Sequence, residues 1–158
     1  MRSGTVSKFE PRRRARRRAL QALYQWRLNP CPPREIVRQF LDAQDFSEVD
    51  SAWFKEQVLG VAGSWQDLES RVSVLIDREA QHLDVIERII LLQAAWEIDR
   101  HPEVPPAVVI DEAVELTKRF GAEQAHGYVN AVLDKAVKSW LEPTQHAPGL
   151  GEGTEGER

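Results

Sequence analysis

The stretch "RRRARRR", residues 12–18, places six arginines in seven positions and runs straight into "ALQALYQW", residues 19–26. A guanidinium is a planar fork that grips phosphate oxygens in pairs and stacks on bases and rings. On a helical wheel, Arg13 and Arg17 fall on the same side as Gln21 and Tyr24, opposite Ala19 and Trp26. Cations, an amide and an aromatic ring on one side are what an unstacked nucleotide strand needs: phosphate partners, a base-edge donor and a stacking platform. The plainer alternatives are a solvated Gln21 and a Tyr24 ring that belongs to the core with its hydroxyl at the rim. A duplex reader would show a recognition helix or a dimer seam. Neither is visible, so single-stranded RNA is the preferred ligand class.

No other constellation supports catalysis. His82, His101, His126 and His146 sit on different elements with no H-x-x-x-H pair. The only glycine cluster, near the C-terminus, lacks the strand before it and the helix after it that a phosphate loop requires. Acid pairs such as Asp111–Glu112 lie at a helix start, where they complement the dipole. Cys31 is the single cysteine, so neither an intramolecular disulfide nor a Cys-based zinc cluster is expected. No metal or cofactor is implied.

The elements that must position the arginines read as helices throughout. Residues 1–10 lack apolar periodicity and are expected to be flexible. Pro11 suits the first position of a helix over 12–28, with Ala15, Ala19, Ala22, Leu23 and Trp26 inward, and "NPCPPR" (29–34) ends it. Further helices are expected at 34–43, about 50–63, around Leu68–Ile76, at 84–100, from Pro105 or Pro106 to Phe120, and over 123–141. "DVIERIILLQAAWEIDR" (84–100) is the most apolar and should be the buried centre, capped by Asp84 with Glu87 three residues on. Gly121 is expected to stop the sixth as a C′ glycine. Residues 142–158 should lack fixed structure.

The net charge of −4 hides an asymmetry. Residues 1–18 hold eight Lys/Arg and one acid, whereas the remainder holds 13 basic and 24 acidic residues. A polyanion would be drawn to one end only. At 158 residues with 42% hydrophobic content the chain suits one domain. No apolar run approaches the ~20 residues of a membrane span and no signal-peptide pattern is present, so a cytoplasmic location is expected.

Five segments together resemble the NusB family of bacterial transcription antitermination factors: "RRRARRRALQALYQW", "FLDAQDFSEVDSAWFKEQVLGV", "VIERIILLQAAWEI", "VPPAVVIDEAVELTKRFG" and "HGYVNAVLDK". The likeness runs from about Arg12 to Trp140. It implies an all-α, NusB-like fold of about seven helices in two small three-helix bundles set across one another. It also implies a non-enzymatic RNA-binding adaptor with no cofactor. Such a protein pairs with NusE, a small-subunit ribosomal protein, on the boxA element of ribosomal RNA leaders, and joins NusA, NusG and RNA polymerase in a complex that resists Rho-dependent termination. The family's arginine motif maps to Arg12, Arg13, Arg14, Arg16 and Arg17. Its RNA-contacting tyrosine, glutamate and C-terminal aromatic map to Tyr24, Glu87 and Tyr128.

Departures from the family pattern are Arg18, which lengthens the basic run, Gln124 where an acid is common, and Ala131 in place of a glycine. The Gln124 change implies tighter, less selective RNA binding. The NusE surface is expected on the acidic helical body, at residues 65–82 and 100–112. NusB-like domains also precede ribosomal RNA cytosine methyltransferases, but those need a larger methyl-donor domain with catalytic cysteines. The remaining alternative is a protein adaptor whose arginines bind an acidic partner.

Overall fold

The computed structural model describes residues 2–76 and 83–141, with side chains described from Phe9 onward, and among the described residues there are seven helices. They are α1 (Arg2–Leu28), α2 (Pro33–Ala43), α3 (Ser51–Gly63), α4 (Trp65–Ser73), α5 (Val85–Arg100), α6 (Pro106–Phe120) and α7 (Ala125–Leu141). No strand occurs among the described residues. The expected tail at 142–158 and part of the expected partner surface, 77–82, lie outside them.

α1, α2 and α3 pack on one another, as do α5, α6 and α7, so the chain folds as two three-helix groups. α4 lies on α5, and α1 and α3 also reach α5, which therefore touches both groups. Every residue from Ile89 to Ile98 in α5 is buried. A helix buried on all sides needs apolar residues all round, which the run IILLQAAW supplies. Two polar residues lie among them, Gln93 and Glu97: the Glu97 carboxylate is met by α1 and α3, and the Gln93 amide nitrogen donates to both of those helices.

Local chemistry explains most of the boundaries. Asp50 caps α3 by accepting from the Trp53 N–H at 3.0 Å, and its own N–H donates to the Pro11 carbonyl at 3.0 Å. Asp84 and Glu87 close the expected capping box on α5, with the Asp84 N–H donating to Glu87 Oε1 at 3.0 Å. Pro106 opens α6, where a missing N–H costs nothing.

Two expectations fail. α1 does not begin at Pro11; it starts at Arg2 and carries the proline inside. An interior proline deletes one hydrogen bond and bends a helix, and the bonds on either side let the helix continue. Gly121 is not left-handed: its φ of −89° and ψ of −175° are extended. What Gly121 provides is room, because a Cβ there would sit 2.9 Å from Glu87 Oε2. The positive φ falls on Gln124, at 73°, just before α7. Gly60 in α3 is likewise a close-approach glycine, since a Cβ would lie 2.2 Å from Trp96 Nε1.

Candidate nucleic-acid interface

The six arginines do not share one side of α1. Successive helical residues turn by about 100°, so seven residues pass almost twice around the axis. Arg12 lays its guanidinium over the Trp53 ring, 4.0 Å from the centroid, with Asp50 at 3.9 Å. Arg14 donates to the Glu48 carbonyl at 3.3 Å, and Arg18 to the Asp45 carbonyl at 3.2 Å while covering Phe46. Arg13 grips Glu112 of α6 with two nitrogens, at 2.9 to 3.3 Å. That hydrogen bond raises the Arg13 pKa above its ordinary value.

Arg16 is a correction to the expected RNA-binding set. Its side chain is 4% exposed and is locked on Glu97 of α5 through Nε at 2.7 Å and an Nη at 2.8 Å. Gln57 of α3 donates to the same carboxylate at 2.8 Å, and Gln93 donates to Gln57 and to the Arg16 carbonyl. Arg16 thus staples α1 to α5 inside the protein and has no face to offer a ligand. Arg16 entered the expected set through the family resemblance and not through the wheel, and the buried arc of α1 includes Leu20 and Leu23 as well as the alanines. Adding Leu20 swings that arc towards Arg16.

Glu87 is the second correction. It is 2% exposed, and both carboxylate oxygens are taken by backbone donors: Oε1 by the Asp84 N–H at 3.0 Å, Oε2 by the Ala122 N–H at 2.5 Å. It fastens the start of α5 to the turn after α6, and in this conformation its burial keeps both oxygens from a base amino group.

Arg17 differs from its neighbours. Among the described residues it has no hydrogen bond and no ion pair. It lines a cleft of about 260 Å³ between α1 and α6, with Arg13, Glu112, Glu115, Lys118 and Arg119. Partial burial, then the positive charges of Arg119 and Arg13, pull the Arg17 pKa below its ordinary value. A guanidinium desolvated among like charges is an anion site waiting for its counter-charge.

One to two turns further along α1, Gln21 and Tyr24 border a second, mainly apolar cleft of about 450 Å³. Leu20, Phe40, Ile86 and Phe120 form its walls, and Gln25 and Gln44 add amides to the rim. Gln21 is exposed and Tyr24 half-buried, so the structure brings Arg13, Arg17, Gln21 and Tyr24 to adjoining clefts. Tyr128, half-buried on α7, lines neither. Sequence reasoning missed Lys118, Arg119, Gln25 and Gln44. It used Phe120 only as the end of the sixth helix. The signal was the "KRF" at the end of α6, which also reads as ordinary dipole-compensating cations.

The fold and the site together define a small all-helical protein that offers an anion a cationic cleft next to an apolar, amide-edged one. Comparison with known proteins makes this specific. The NusB family model matches residues 13–138. A transcription antitermination protein NusB of Xanthomonas axonopodis pv. citri is 41% identical over 138 residues, 87% of either chain. That of Idiomarina loihiensis is 43% identical over 129 residues, covering 82% of this chain and 93% of the relative. The solved structure of T. maritima NusB superposes with a TM-score of 0.70 at 26% identity, covering 81% of this chain and 91% of that one. The chain belongs to the NusB family.

Proposed function

We propose that this protein is an RNA-binding transcription antitermination factor that, with NusE, binds the boxA element of ribosomal RNA leaders. In this role it joins NusA, NusG and RNA polymerase in the cytoplasm and helps the polymerase resist Rho-dependent termination. Membership of a family whose curated relatives carry the name transcription antitermination protein supports the process. The observation that carries the RNA reading is the unpaired Arg17 in a cationic cleft beside the apolar cleft that Gln21 and Tyr24 border. Arg17 takes a phosphate with Arg13, the Tyr24 ring takes a base face, and Gln21 reaches a base edge. Arg12 and Arg14, about two-fifths exposed beside their protein partners, add charge at the rim. Arg16 and Glu87 hold the scaffold. Tyr128 is kept as an outlying contact, reached by RNA that extends beyond the two clefts. No described helix is long and apolar enough to cross a membrane.

The test is an anisotropy titration of labelled boxA RNA and of a scrambled RNA of equal length, with and without NusE. Tighter binding of boxA, strengthened by NusE, is the expected result. Equal affinity for both RNAs in both conditions, or competition by an acidic peptide as effective as by boxA, overturns the reading in favour of a protein adaptor. Arg13→Ala with Arg17→Ala should weaken boxA binding and flatten its salt dependence by roughly 0.7 in log–log slope per lost phosphate contact.

A further inference from the structure

The RNA reading above rests on α1. We infer that the end of α6 builds the other half of the site: Lys118 and Arg119 complete, with Arg17 and Arg13, a pocket for one backbone phosphate of single-stranded RNA.

Four cations from two helices line the α1–α6 cleft against two carboxylates. Those carboxylates are committed. Glu112 is held by Arg13 at 2.9 Å and lies 3.8 Å from Arg16. Glu115 stands 3.8 Å from Lys118 on the exposed side of α6. Arg17 has no hydrogen bond or ion pair among the described residues; Glu10 acts on it only at a distance, and Arg119 is the foremost of the positive charges around it. Cations in a last helical turn normally do no more than offset the helix dipole. Here they meet a third, desolvated cation across a cleft, an arrangement that costs free energy in the empty protein and is relieved by a bound anion.

The position of the pocket selects a nucleotide over other anions. Arg119 is followed by Phe120, which walls the apolar cleft, and Arg17 is followed by Gln21 and Tyr24, which border it. Four to seven residues of helix span about 6–10 Å along the axis, a distance that one nucleotide bridges from phosphate to base. A phosphate in the first cleft therefore delivers its base to the second. An acidic peptide would match the cations but leave the ring-and-amide cleft unused.

The experiment uses the full chain and a series of boxA RNAs, each with one phosphate replaced by a neutral methylphosphonate. In the unaltered protein one substitution should weaken binding markedly. In Lys118→Gln/Arg119→Gln, overall affinity should fall about tenfold, the salt slope should flatten, and that same methylphosphonate should cost nothing further. Such coupling is a readout that a merely structural role would not produce. Arg119→Lys should keep most of the salt slope, and Arg38→Gln, which removes an exposed cation of α2, should leave the methylphosphonate profile unchanged. If the double variant retains the wild-type affinity and profile while boxA is still preferred over scrambled RNA, the α6 pocket is wrong and the RNA reading stands. If boxA is not preferred by the unaltered protein, the RNA reading itself fails.

Discussion

Replacing Arg16 by alanine separates the scaffold from the ligand site. The substitution removes the partner of Glu97, a carboxylate 2% exposed, and deletes two charge-assisted hydrogen bonds of 2.7 and 2.8 Å. Gln57 remains at 2.8 Å, but a neutral amide cannot offset a buried charge. Breaking a buried pair from one side costs about 3–5 kcal/mol. Against the 5–15 kcal/mol of a typical domain that is a large fraction, and it should lower the melting midpoint by about 6–20 °C at roughly 2–4 °C per kcal/mol. Urea unfolding followed by circular dichroism measures the loss. The paired change Arg16→Met with Glu97→Leu removes both charges together and should recover much of it. The RNA salt slope of the folded Arg16→Ala protein should match that of the parent, because Arg16 touches no phosphate. An Arg16→Ala protein of parental stability with a flattened slope would show that Arg16 leaves the interior to bind RNA, and would refute the division of labour proposed for α1.

Tyr24→Ala should weaken boxA binding by about 1–3 kcal/mol with no change in salt slope, read from titrations at several salt concentrations. Gly60→Ala pushes a Cβ to 2.2 Å from the Trp96 indole nitrogen; by overpacking it should cost about 1–3 kcal/mol or more in chemical unfolding. Glu103 has its carboxyl held below the ordinary value near 4.5, chiefly by its hydrogen bond to His101. A depressed folded pKa gives stability that is present above the unfolded value and lost as pH falls through the folded one. The stability gap between the parent and Glu103→Gln should therefore be open at pH 6 and narrow progressively as the pH falls below the ordinary carboxylate value, as measured by unfolding at fixed pH steps.

Helices other than the wholly buried α5 were legible in the chain because they bury a stripe at helical spacing. Ile36, Val37 and Phe40 in α2, Val109, Ala113 and Leu116 in α6, and Val129, Val132, Leu133 and Ala136 in α7 are all buried as their spacing requires. The α5 capping box was legible for the same local reason. What was not legible depends on residues far apart in sequence. Arg16 meets Glu97 across 81 positions, Arg13 meets Glu112 across 99, and Glu87 meets the Ala122 N–H across 35. A wheel can rank the faces of one helix, but it cannot show which face a second helix covers. The role of Gly121 was misread on the same ground: the need for a small residue comes from Glu87, not from its own backbone.

These long-range pairs also explain why an acidic protein concentrates arginine at one end. α1 is embedded between its own group and α5, so a dense arginine run wrapped around it must point inward as well as outward. The inward and flanking arginines find acids on other helices and loops: Glu97 for Arg16, Glu112 for Arg13, Asp50 for Arg12. Part of the negative charge of the body is thus the internal counter-charge of α1, and the cationic face that remains is narrower than the sequence implies. The narrowing favours selectivity, because six free arginines would attract any polyanion through charge alone. On the proposed reading, one unpaired guanidinium next to an apolar, amide-edged cleft attracts weakly at a distance and favours a strand whose phosphate and base arrive together.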